Sequence, residues 1–125
     1  MQGLERADQR NTSPFAPLLA RAKREGRPDV HFGKRRHARF TLGVTLVAST
    51  RVADLEHAWP VVMVNISEEG MAVRSNRSVP RGDPLYLNDA PAANAESWVQ
   101  AKVMHCTRTE EGYVIGISLR DAVTR

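Results

Sequence analysis

Two short stretches hold the residues best suited to binding chemistry. The first is KRRHARF, residues 34–40, where Lys34, Arg35, Arg36 and Arg39 place four cations within six positions. Arg35 and Arg39 are four apart. A guanidinium is a planar fork that donates two parallel hydrogen bonds, to phosphate oxygens or to the O6 and N7 edge of guanine. It also stacks on flat rings. Lys34 and Arg36 add positive potential without requiring a fixed geometry. The second stretch is NISEEG, residues 65–70. Asn65 and Ser67 are two apart, so on a strand both point to one face. The Asn65 amide donates and accepts, Ser67 offers a hydroxyl, and Gly70 allows either a positive φ or a close backbone approach. Taken singly, the first stretch reads as a solvated basic linker and the second as a plain hairpin turn.

The elements that must position these groups follow from periodicity and turn residues. Residues 1–12 are polar and patternless and read as disordered. A short helix is expected near residues 14–25, with Ser13 as N-cap, Pro14 in its first turn and Gly26 as its stop. Its stripe of Phe15, Leu18, Leu19 and Ala22 is too short to be stable alone. It should pack on the rest of the chain or dock a partner, and its removal should spare ligand binding. Gly26, Pro28 and Gly33 then read as a linker. From Phe40 onward six strands are expected: FTLGVTLVAS, WPVVMVNIS, GMAVRSN, PLYLND, WVQAKVMHCTR and GYVIGISLR, separated by Gly, Pro, Asn and Asp clusters. Six short strands at this spacing favour a small antiparallel barrel or sandwich, all-β apart from the N-terminal helix. The expected organisation is an extension over residues 1–33 and a barrel over residues 34–125.

Charge and composition narrow the function class. The 125 residues fit one domain, and the net charge of +4 is uneven. Residues 21–39 hold eight Arg and Lys against Glu25 and Asp29, a local balance of +6, so the remainder sums to −2. A protein basic throughout, of the histone kind, is excluded. Cys106 is the single cysteine, which rules out an intrachain disulfide and points to a reducing, cytoplasmic setting. No apolar stretch has the length of a membrane span.

Together the two stretches resemble the signature of the PilZ domain family, receptors for the bacterial second messenger cyclic di-GMP. That signature is R-x-x-x-R just before the first strand and [DN]-x-S-x-x-G between the second and third. Arg35-x-x-x-Arg39 and Asn65-x-Ser67-x-x-Gly70 match it in spacing and order, and the strand GYVIGISL near the end is also similar. The resemblance covers about residues 34–121. It implies a six-stranded PilZ-like β-barrel preceded by a flexible basic arm, with cyclic di-GMP as ligand and no cofactor. The implied ligand-binding residues are Lys34, Arg35, Arg36, Arg39, Asn65, Ser67 and Gly70. Lys34, a basic residue just before R-x-x-x-R, implies a self-stacked pair of ligands. The resemblance also implies a binding protein rather than an enzyme, acting on a protein partner in motility, pilus or exopolysaccharide control.

Other reactive residue types carry less. His31, His37, His57 and His105 show no metal-ligand spacing. Cys106 suits a core position, and Glu68 and Glu69 are neighbours in a turn rather than a facing acid–base pair. Ser67 has no evident His or Asp partner, and Trp59 and Trp98 read as packing residues. Two competing readings stand beside the cyclic di-GMP receptor. One is a basic barrel binding single-stranded nucleic acid, against which only seven Phe, Tyr and Trp count. The other is a PilZ-like interaction module that binds no ligand.

Overall fold

The computed structural model describes residues 15–29, 38–51, 57–89 and 98–124. Among these residues a helix, α1 (Ala16–Glu25), is followed by eight strands. These are β1 (Arg27–Asp29), β2 (Arg39–Thr41), β3 (Thr45–Ser49), β4 (Trp59–Ile66), β5 (Gly70–Ser75), β6 (Pro84–Asp89), β7 (Val99–Thr109) and β8 (Gly112–Thr124). Strands β3 to β8 close into the expected six-stranded antiparallel barrel, in the order β4-β3-β6-β7-β8-β5 and back to β4. Closure removes the free edges that an open six-stranded sheet would expose.

Alternation along each strand builds the interior. Val61 and Met63, Met71 and Val73, Leu85 and Leu87, Ala101 and Val103, and Ile115 and Ile117 point inward in pairs two residues apart. Trp59 is buried at the start of β4, where its indole N–H donates to Ser75 Oγ at 2.9 Å. Trp98 is fully buried, so both tryptophans are packing residues. Cys106 is partly buried against the core.

The N-terminal part departs from expectation in three ways. Helix α1 has Phe15 at its N-cap with no side-chain cap bond, and Pro17 sits in its first turn; Ser13 and Pro14 lie outside the described residues. Gly26 ends the helix, but in an extended conformation (φ −88°, ψ −170°), so its backbone turns directly into β1. A Cβ there would meet the Ala22 carbonyl oxygen at 2.6 Å and the Thr41 carbonyl oxygen closer still. Glycine is required at this corner by a close backbone approach. The segment expected to be a linker therefore begins with a strand, β1, which pairs with β2 through Arg27–Thr41, Pro28–Phe40 and Asp29–Arg39. Three residues cannot show a period, and a sheet-edge strand tolerates a proline.

FTLGVTLVAS, read as one strand, is broken at residues 42–44 into β2 and β3. Both pieces lie along β4: β3 pairs with residues 59–62 of it, and Phe40 of β2 pairs with Ile66. The β1–β2 hairpin is thus an addition to the outside of the barrel at the C-terminal end of β4. Helix α1 packs onto it. Phe15 and Ala22 belong to the main core, with Leu18, Leu19, Phe40, Leu42 and Val44 packed against them. The apolar stripe of α1 therefore packs on the barrel, so removing the helix would strip part of the core. Lowered stability is therefore expected on its removal.

Candidate functional site

The NISEEG turn is organised by Ser67. Its backbone N–H donates to the Gly70 carbonyl at 2.8 Å. Its hydroxyl accepts from the amides of Glu69 (3.3 Å) and Gly70 (3.2 Å) and can donate to the Gly70 carbonyl at 3.3 Å. Ser67 is buried, at 3% exposure. It is consequently a turn-builder as well as a candidate binding group. Gly70 is needed for close approach rather than for a positive φ, since a Cβ would lie 3.1 Å from the Ile117 carbonyl oxygen; the described positive-φ glycines are Gly82 and Gly112.

Asn65 is positioned by a β-bulge. Val61 and Met63 point into the barrel, and strict alternation would send residue 65 inward as well. The β4–β5 register instead shifts between Met63 and Asn65. One extra residue in the bulged strand resets the alternation, so Ile66 enters the core at 0% exposure, while the amide of Asn65, buried at 7%, meets Arg39.

Arg39 opens β2, beside this residue. Its Nη1 donates to Asn65 Oδ1 at 3.4 Å, a partly buried contact between residues 26 apart in sequence. This bond joins the second arginine of R-x-x-x-R to the first residue of N-x-S-x-x-G. Lys34, Arg35 and Arg36, and the flexible arm expected around them, lie outside the described residues.

An open pocket of about 330 Å³ sits on this outer surface. Arg39, Ser67, Glu69 and Gly70 line one side, and Met104, His105, Gly116, Ser118 and Arg120 of β7 and β8 line the other. Arg39 and Arg120 bring two permanent cations to it, against the single carboxylate of Glu69. Asn65 lies behind Arg39 and is not part of the lining. Glu68 points away and is 3.9 Å from Lys23 Nζ, an exposed pair worth at most about 1 kcal/mol that ties α1 to the turn. Among the described residues no group of three or more His, Cys, Asp or Glu could hold a metal ion. No described helix is long and apolar enough to cross a membrane.

His105 and Arg120 were not singled out by the spacing of residues. His105 follows a second bulge, where the β7–β8 register shifts between Val103 and His105. The imperfect alternation of WVQAKVMHC was the one sequence signal of it.

A closed small barrel, a short pre-barrel strand carrying an arginine, and an Asn–Ser–Gly turn beside that arginine together frame the pocket. The chain belongs to the PilZ domain family, whose model matches residues 33–124. No individual curated protein matches it significantly.

The geometry fixes what Ser67→Ala should do. The variant leaves the part-buried Glu69 and Gly70 amides without their hydroxyl acceptor, a loss of about 1 kcal/mol. A melting temperature lower by several degrees is expected in thermal denaturation. A melting curve superimposable on that of the parent would contradict the turn-building role.

Proposed function

We propose that the protein is a receptor for cyclic di-GMP and acts by changing its contacts with a protein partner when the ligand binds. The observation that carries this reading is the Arg39–Asn65 contact at the lip of the pocket, which brings the two halves of the family signature together. Cyclic di-GMP presents two phosphates and two guanines, the groups a guanidinium fork reads best. In this reading Arg35 and Arg39 hold phosphate or the guanine edge, and Lys34 and Arg36 raise the local potential. Ser67 and Gly70 shape the floor, and Asn65 holds Arg39 in position. Asn at position 65 keeps a negative charge away from the phosphates. The setting is a bacterial cytoplasm and the role is non-enzymatic.

Calorimetric titration with cyclic di-GMP, GTP and a single-stranded oligonucleotide tests this directly. The receptor reading expects saturable binding of the first alone. Binding of the oligonucleotide would support the nucleic-acid reading instead, and binding of none would leave the interaction-module reading.

Lys34 bears on stoichiometry. A stacked ligand pair gathers four phosphates, and nearby cations must offset their repulsion. Two ligands per chain are expected for the parent and one for Lys34→Leu. A stoichiometry of one in both would remove the stacked pair from the account.

A further inference from the structure

Gly116 and His105 are register partners across β8 and β7. A Cβ built on Gly116 would run into the imidazole of His105. Its nearest atom is Nε2, and both flanking ring carbons, Cδ2 and Cε1, stand at 2.5 Å, barely further than Nε2 itself. Only a ring lying face-on to that position can place all three atoms so evenly. An edge-on ring would hold the two carbons well behind the nitrogen. The imidazole therefore lies flat on the bare backbone of β8, in space that only glycine leaves open. His105 is nevertheless exposed and lines the pocket. One face of the ring is on Gly116, so the other is the face the pocket presents.

We propose that His105, laid flat by Gly116, is the stacking platform for a guanine base of the ligand. The inference rests on the cyclic di-GMP reading and adds to it a residue outside both signature motifs. A flat ring with an open face suits a purine, since base–aromatic stacking uses the π-faces of both partners. The surroundings fit an anionic nucleotide: Arg39 and Arg120 line the same pocket, as do the small Gly70 and Ser118. Arg39 approaches from β2 and His105 from β7, so the base would sit across β5 and β8, between the signature turn and the platform. Gly116 contributes by absence. A methyl group there would tilt or lift the ring and close the space above it.

The test compares cyclic di-GMP affinity by calorimetry for the parent, His105→Ala, His105→Phe and Gly116→Ala, each checked for an unchanged circular dichroism spectrum. His105→Ala should bind about tenfold more weakly. His105→Phe restores a flat ring and should recover most of that loss, which a merely structural role for the imidazole would not predict. Gly116→Ala should weaken binding, and combining it with His105→Ala should add little, because both remove the same platform. Should Gly116→Ala fail to fold, the two His105 variants still decide. Parent-like affinity in His105→Ala, or no recovery in a folded His105→Phe, would overturn the platform while leaving the receptor reading intact. A parent that binds no cyclic di-GMP would overturn both, and is seen before any variant is made.

Discussion

Arg39→Ala is expected to weaken cyclic di-GMP binding by at least tenfold while leaving the barrel folded. Hydrogen bonds to charged groups are worth about 1.5–3 kcal/mol, and each 1.4 kcal/mol is tenfold in affinity. The substitution also removes the contact to Asn65 Oδ1, so a group that orients the site is lost with the group that binds. The fold should survive because Arg39 lies on the added β1–β2 hairpin and not among the inward-facing residues of the barrel. Arg35→Ala should behave alike. Asn65→Ala should cost less, roughly two- to tenfold, since neutral hydrogen bonds contribute about 0.5–1.5 kcal/mol. Isothermal calorimetry on the three variants ranks them, and an Arg39→Ala protein with parental affinity would separate the basic run from the function.

The second large effect falls one residue from Asn65 and is of the opposite kind. Ile66 is fully buried, pairs with Met71 of β5 and is the residue through which β2 joins β4. Ile66→Ala should cost about 2–5 kcal/mol, because the lost transfer energy is compounded by the cavity left behind. For a domain of this size that is a fall in melting temperature of roughly 10 °C or more. Asn65→Ala removes a buried amide and its bond to Arg39 but opens no gap in the apolar core, and should cost less, about 0.5–1.5 kcal/mol. The pair tests the bulge: without it, residue 65 would be the core position and residue 66 the surface one. Equal, small losses from both substitutions would show that the β4 register is not as described.

Much of this architecture was legible in the sequence, and the rest was hidden for identifiable reasons. Strands β4 to β8 are announced by inward pairs such as Val61 and Met63 or Ile115 and Ile117, bounded by Gly, Pro and Asp. The signature turn was legible because Asn, Ser and Gly each have a local backbone role there. Strand β1 was not, because Arg27, Pro28 and Asp29 carry no period; its pairing depends on β2, which arrives ten residues later. The break between β2 and β3 and the bulges near Val64 and Met104 are decided by barrel closure, a long-range constraint that local alternation does not express. His105 was passed over for the same reason. A lone histidine in an imperfectly alternating strand gives no hint of the glycine beneath it, which lies 11 positions away in sequence.

The Ser67 hydroxyl shows how a residue can be read correctly by type and incompletely by role. It lines the pocket beside Arg39. Its bonds to Glu69 and Gly70 show that it also holds the turn on which the pocket depends. Affinity losses in Ser67 variants therefore combine two causes, and the melting curve is needed to apportion them.

The most direct test of the account is an amide chemical-shift titration of the isotope-labelled protein with cyclic di-GMP. The account predicts saturable shifts concentrated at Ser67 to Met71 and at His105, Gly116, Ile117 and Ser118, with residues 107–112 at the far hairpin unmoved. Saturable shifts centred instead on the separate pocket that Arg27 and Thr41 line with Val62 and Arg74, or no shifts at millimolar ligand, would contradict it.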